Sequence, residues 1–297
     1  MHLSMHNWMR AEPIEVTIAR LAKYGYESIE IGGEPKRYDT KEVKKTLDEH
    51  GVRCWGAVTL MFEGLNLPSA SEQIRANTVQ YIKDCITMVK ELDGEILTIV
   101  PGTVGKVNPD STPEEEWQWA VEGMKEADAW SKQQGVRIAV EPINRFETYF
   151  VSRANQALAL AEATSPECGV CLDAFHINIE EVDPYAAIRM VSDRLTDFHV
   201  ADTNRFACGW GHWDWAKLVD TLKEVGYDDA LTVEFVAPVD RTPADPYPEM
   251  VETDLSKLDI SEEQKKFIVD HGSSFLTEEF YSAQVKTCAD TLLPLIG

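Results

Sequence analysis

Four polar residues close strand-like runs in the second half of the chain: Glu141 in RIAVEPINRFETY, Asp173 in GVCLDAFHINIEE, His199 in LTDFHVADTNR and Glu234 in ALTVEFV. They are separated by 32, 26 and 35 residues, each interval close to one strand plus its returning helix. Residues so spaced converge at one end of a parallel barrel, where the loops after the strands build the active face. Three carboxylates and an imidazole gathered there would hold one divalent cation. An oxygen-rich donor set of this kind suits Mn²⁺, Mg²⁺ or Co²⁺ better than a structural zinc, which prefers thiolates. The plainer alternative is that each group ends its strand in water or pairs with a local arginine. It would have to hold four times over, and a desolvated acid without a partner is costly.

Further groups fall around the four. His176 lies three residues after Asp173, in the loop expected to leave that strand. Arg205 follows His199 by six residues and Glu147 follows Glu141 by six. Asn144, Tyr149, Trp8 and His6, the last at the end of the first strand, add polar and aromatic surface. Aromatic faces against C–H groups, with His, Arg and Glu for hydroxyls, make a ring suited to a sugar. Plainer readings stay open for each. Arg205 could be an exposed loop charge, Glu147 could pair with Arg145 or Arg153, and His6 and Trp8 could pack the barrel mouth.

The elements that must position these residues alternate along the chain. Strand-like runs occur at 2–6, 28–32, 53–58, 95–100, 136–141, 168–173, 195–200 and 230–235. Several are short and apolar with β-branched residues, as strands buried on both faces should be. Amphipathic stretches lie between them, at 13–24, 40–50, 71–92, 112–135, 152–163, 183–192 and 213–225, with a last helix at about 274–293. Thr112-Pro113-Glu114-Glu115 supplies a cap, a first-turn proline and acids, and glycines follow several helix ends. Eight such units in 297 residues predict an α/β fold, a single (β/α)8 TIM barrel spanning 1–297. An open doubly wound sheet is disfavoured, because no G-x-G-x-x-G follows a strand. The rhythm breaks after the eighth strand, at about 236–272. Four prolines, Pro238, Pro243, Pro246 and Pro248, precede acidic helix-forming sequence there. A connection this long is expected to be a surface excursion, a lid or a docking segment for another subunit.

The chain has a net charge of -23, with 44% hydrophobic and 27% charged residues. An acidic field repels phosphate backbones and anionic membranes, so nucleic acid is a poor partner. No apolar run is long enough to span a bilayer, and MHLSMHNWMR lacks the features of a secretory signal. A cytoplasmic location is therefore expected. Six cysteines are present. Cys168-Gly-Val-Cys171 matches C-x-x-C, but it leads into a strand and has no second pair to complete a zinc site. Small buried residues are the expected role.

EPINRFET, CLDAFHINIEE, HVADTNR and TVEF resemble the four metal-site motifs of the xylose-isomerase-like barrel superfamily, particularly its ketose 3-epimerase and sugar-isomerase branch. The resemblance covers about residues 1–236 and the last helix. It implies that Glu141, Asp173, His199 and Glu234 bind one Mn²⁺-type ion. It further implies that Glu141 and Glu234 act as acid and base, and that Glu147, His176 and Arg205 hold substrate. The endonuclease-IV-like branch is disfavoured, because strands three and four end in Thr59 and Pro101 with no histidine near either. Three features depart from the epimerases: the start HNWMRAEP, the run Arg205-Phe-Ala-Cys-Gly-Trp-Gly in place of a Pro-Gly turn, and the excursion. These look more like the large (α) subunit of bacterial C-glycoside deglycosidases, which pair with a small β-sandwich subunit and cleave 3-oxo-glucosides of plant polyphenols. The leading expectation is therefore a lyase that eliminates the aglycone of a 3-oxo-C-glucoside. A ketose 3-epimerase or sugar isomerase, with a homo-oligomer in place of the paired subunit, is the alternative. A non-catalytic sugar-binding barrel is a third reading.

Overall fold

Runs such as SIEIG, ILTI and GVCLD carry apolar or small residues at nearly every position because both faces of their sheet are covered. In the computed structural model, which describes residues 1–236, 265–266 and 276–297, they belong to eight parallel strands. These are β1 (His2–Met5), β2 (Ser28–Gly32), β3 (Arg53–Val58), β4 (Ile96–Ile99), β5 (Arg137–Val140), β6 (Gly169–Asp173), β7 (Leu195–Val200) and β8 (Ala230–Val233). Each strand pairs with the next in sequence from β2 to β8, and β8 pairs with β1. The remaining seam, between β1 and β2, is spanned by one parallel bridge between His6 and Glu30. The result is the expected (β/α)8 barrel.

The helices bounded among the described residues are α1 (Ile14–Lys23), α2 (Thr40–His50), α3 (Glu72–Glu91), α4 (Pro113–Gln134), α5 (Ala154–Thr164), α6 (Ala174–Glu180), α7 (Pro184–Val191), α8 (Trp215–Glu224) and α9 (Glu278–Ile296). Most of their starts follow side-chain caps, including Asp39, Ser71, Thr112 and Asp214. Gly51 and Gly135 end α2 and α4 in the left-handed region, at φ 66° and 71°. Two local expectations are corrected. His176 lies in α6 rather than in a loop, because the Asp173 carboxylate caps that short helix by accepting from the Phe175 N–H at 2.7 Å. The last helix begins at Glu278, where Thr277 caps it, and runs on to Ile296 through Pro294. The expected excursion at 236–272 lies outside the described residues, apart from Val236, Lys265 and Lys266.

The main core fills the space between strands and helices. Alternate strand residues point the other way, into the barrel. There Trp55, Ile96, Ala139, Cys171 and Ala230 form a separate buried cluster. Space within it is tight: a Cβ at Gly56 would stand 2.1 Å from the Ile96 carbonyl oxygen. All six cysteines are buried free thiols, including Cys168 and Cys171.

Candidate active site

The period of two that fills the barrel also stacks its polar residues. Glu141 and Glu234 stand one residue beyond β5 and β8, Asp173 ends β6, and His199 is the penultimate residue of β7. All four are buried, with at most 7% of their surface exposed. His199 Nδ1 lies 3.1 Å from Glu141 Oε1 and 3.4 Å from Glu234 Oε2. Arg205 reaches across two of the acids, with Nη1 2.9 Å from Asp173 Oδ2 and Nη2 3.1 Å from Glu234 Oε2. Arg205 is therefore an internal counter-ion and not an exposed loop charge.

Its loop is built to aim it. The Asp202 carboxylate accepts from the N–H groups of Thr203, Gly209 and Trp213 and from Trp215 Nε1, at 2.8–3.2 Å. The chain between β7 and α8 is wound around that one acid, and Arg205 takes φ 62° within it. The loop after β5 is held in a similar way. Arg145 pairs with Glu180 of α6, whereas Glu147 accepts from Asn144 Nδ2 at 2.6 Å. Among the described residues Glu147 thus partners Asn144, and Arg145 is taken by Glu180. The Asn144 backbone N–H donates to His176 Nδ1 at 3.2 Å. A neutral His176 accepting there carries its ring proton on Nε2, which lies 3.6 Å from Asp173 Oδ2 and 3.4 Å from Arg205 Nη1. Tyr149 turns away to donate to Glu116 at 2.9 Å.

A cavity of about 360 Å³ opens above these groups. Glu141, Glu147, His176, Arg205 and Glu234 line it from the loops after β5 to β8. Val58, Leu60, Met61, Val100 and Val104 line it from the ends of β3 and β4 and their loops, and Trp8 and Phe175 complete the wall. Asp173 and His199 lie beneath this lining. So does His6, fully buried, with its ring 4.6 Å from that of His199 and edge-on to it.

Burial and charge set the titration. Burial, with Glu234 adding to it, raises Glu141 above the ordinary carboxylate range despite the pull of His199. Burial pushes Asp173 up to about 7, against the opposing effect of Arg205. Glu234 is equally desolvated, yet Arg205 and His199 outweigh that and hold it well below the usual range. Burial and the neighbouring His199 lower His6 to about 3. Desolvation alone would lower Arg205, but Asp173 and Glu234 keep it firmly protonated.

The structure brings the four predicted ligands into neighbouring donor groups that could hold a divalent ion, with Asp173 and His199 in different groups. Ligand atoms of Glu141, Asp173 and His176 lie within 4.8 Å of one another, as do those of His6, His199 and Glu234. The acids and the His199 imidazole are the hard and borderline donors such ions prefer. A family profile described as xylose isomerase-like TIM barrel matches residues 18–257. The chain belongs to the xylose isomerase-like TIM barrel family. Two named enzymes are similar to it. One is the L-ribulose 3-epimerase of Mesorhizobium japonicum, 27% identical over 223 residues, or 74% of this chain and 75% of that protein. The other is the D-psicose 3-epimerase of Ruminiclostridium cellulolyticum, 25% identical over 224 residues, or 73% and 76%. The crystal structure of a D-psicose 3-epimerase with D-tagatose, from Clostridium cellulolyticum H10, superposes with a TM-score of 0.80 at 21% identity. That match covers 100% of this chain and 99% of the other. This xylose isomerase-like barrel thus has ketose 3-epimerases among its relatives, and its described residues include no helix long and apolar enough to cross a membrane.

The sequence reading overlooked two residues of the site, Glu30 and Asp197. Both are fully buried and face His199 from inside the barrel, 3.4 and 3.5 Å from its Nε2. The available signal was the same period of two: Asp197 precedes His199 by two positions on one strand, so both side chains must face the barrel axis.

Proposed function

We propose that this chain is a divalent-metal-dependent sugar epimerase that inverts a ketose at the carbon next to its carbonyl, with C3 as the reacting carbon. The observation that carries the reading is the placement of Glu141 and Glu234, two carboxylates that flank His199 at the floor of a cavity lined by His176, Arg205 and Glu147. The 3-epimerase activities of its relatives support the same reading, and it takes precedence over the elimination expected from the sequence.

Glu141, Asp173, His199 and Glu234 would hold the ion, with Mn²⁺ the proposed occupant. When bound, such an ion polarises a carbonyl and a neighbouring hydroxyl oxygen, which acidifies the C–H between them. The protein supplies the proton traffic. Glu141 and Glu234 come from β5 and β8, so one can take the C3 proton and the other return a proton to the opposite face. Arg205 keeps its charge and balances the acids while one of them changes protonation. His176 presents Nε2–H toward the Asp173 side of the cavity, where a sugar hydroxyl would be held, and Glu147 offers an acceptor to a further hydroxyl. The apolar residues from β3 and β4 exclude water from the reacting carbon.

That apolar wall favours a second reading, a 3-oxo-glycoside whose aglycone packs against Met61, Val100 and Val104 and leaves by elimination. A small β-sandwich partner subunit would then be expected; under the first reading, a homo-oligomer. The test is to incubate the Mn²⁺-loaded chain with D-fructose, D-psicose and L-ribulose, and separately with a 3-oxo-C-glucoside, and follow the products by chromatography. Interconversion of C3 epimers is the expected result. Release of aglycone without epimerisation would replace the first reading with the second, and inertness toward all four would defeat both.

A further inference from the structure

Both ring nitrogens of His199 face carboxylates. Nδ1 looks up toward Glu141 and Glu234, and Nε2 looks down the barrel axis toward Glu30 Oε2 and Asp197 Oδ2. A neutral imidazole has one N–H and one lone pair, and it can hold a cation only through the lone pair. If His199 shares an ion with Glu141 and Glu234, Nδ1 must supply that lone pair and Nε2 must carry the hydrogen.

The lower pair is arranged to receive it. Asp197 Oδ1 accepts from Trp55 Nε1 at 3.1 Å and from the Phe198 N–H at 2.9 Å, and both of those groups can only donate. Asp197 Oδ2 accepts from Thr98 Oγ1 at 2.8 Å. Donors from β3, β4 and β7 therefore fix this carboxylate, although Trp55 lies 142 residues from it in the chain. Glu30 has no hydrogen-bond partner on either carboxylate oxygen and His199 Nε2 has none either, although both residues are fully buried and face each other at 3.4 Å. Two acids enclosed in a barrel are costly unless something uses them. The group they share is the Nε2 side of His199.

We propose that Asp197, anchored by Trp55 and Thr98 and assisted by Glu30, is a positioning residue for the ion site: it holds His199 in the Nε2–H tautomer, with Nδ1 directed at the cation. The inference rests on the reading of His199 as a ligand. It is independent of which sugar reaction follows. Residues behind a metal-bound histidine act by fixing its tautomer and orientation, and their loss typically weakens metal affinity about 10- to 100-fold.

The decisive variant is Asp197→Asn. Its carbonyl can still accept from Trp55 and Phe198, while its amide presents a donor to Nε2 and so favours the Nδ1–H tautomer. Titration calorimetry of the full chain with Mn²⁺ should show Kd raised about 10- to 100-fold, with the melting temperature of the metal-free protein close to wild type. Glu30→Gln, which keeps an acceptor oxygen, should lose less. Unchanged affinity in folded Asp197→Asn would overturn the proposal, as would a lowered melting temperature with Kd intact, since that is the mark of a purely structural acid. A measurement on the wild type covers the case of a variant that does not fold. In histidine-selective ¹⁵N spectra of the Mg²⁺-loaded protein, His199 should carry its hydrogen on Nε2. A hydrogen on Nδ1, or a chain that takes up neither ion, refutes the proposal. Tight, tautomer-defined ion binding without sugar turnover would uphold it while defeating the epimerase reading.

Discussion

The Arg205 guanidinium lies 2.9 Å from the Asp173 carboxylate, so one of the buried acids that could ligate an ion is already matched by an internal cation. The same side chain reaches Glu234. Three acids and one imidazole would be hard to enclose without that counter-charge.

Arg205→Ala should therefore destabilise the metal-free protein by about 3–5 kcal/mol, the cost of leaving buried carboxylates uncompensated. Added Mn²⁺ should restore part of the loss, which differential scanning fluorimetry with and without the ion would reveal. Arg205→Lys should recover little, because one ammonium cannot span two acids as the planar fork does.

Glu141→Gln and Glu234→Gln keep side-chain volume but remove a proton acceptor. Each should lower ketose turnover about 10²- to 10⁴-fold. Metal content measured on the same samples separates lost proton transfer from lost ligation. A variant that retains its ion and near-normal kcat would remove that residue from the proposed acid–base pair.

Stability of the metal-free chain should fall as pH rises from about 6.5 to 8. Burial raises Asp173 to about 7, and burial with the nearby Asp197 raises Glu30 to about 8. A carboxyl shifted upward keeps, in the native state, a proton that the unfolded chain has already released. Stability therefore drops between the unfolded and folded values. His2 and His6 are lowered to about 4 and 3 and act in the opposite sense, but their effect is complete once the unfolded histidines lose their protons near 6.5. Above that the carboxyls are left to act, and His199, raised despite its burial by Cys171 and the surrounding acids, adds to the same trend. With saturating Mn²⁺ the slope should flatten or reverse, because deprotonated acids are the ligands. Melting curves at several pH values, with and without the ion, would check both statements.

The barrel was legible because its strands are short apolar runs separated by capped amphipathic helices, and Glu141, Asp173, His199 and Glu234 stood out as polar ends of such runs. What the sequence concealed has physical reasons. α6 is too short to carry a periodic pattern, and only the Asp173 cap marks its start. Glu30 sits inside SIEIG, where an acid reads as a strand residue facing water. Barrel closure turns it inward, against a residue 169 positions away. Asp197 was open to the period-two argument, but its donors Trp55 and Thr98 come from other strands and become visible only once the strands pair. The 236–272 segment weighed in favour of elimination chemistry in the sequence; apart from Val236, Lys265 and Lys266 it lies outside the described residues, whereas the similar proteins are 3-epimerases.

Gly56→Ala should be poorly tolerated. Its added methyl would meet the Ile96 carbonyl carbon and oxygen, which are backbone and cannot swing away. A loss of about 1–3 kcal/mol or more is expected, read as a lower urea midpoint. Gly64→Ala, where nothing lies within 4 Å but φ is +91°, should cost less, about 1–2 kcal/mol of backbone strain.

The pairing of β1 with β8 has a consequence for timing. As the chain leaves the ribosome, Glu141, Asp173 and His199 emerge first. Glu234 arrives later, with the strand that must find the earliest one made. A fragment lacking that last strand would present a partial, open set of donors to whatever metals the cell contains. The proposed ligand set is complete only once the first strand and the eighth have met, so an ion held by all four residues would be taken up after the barrel closes.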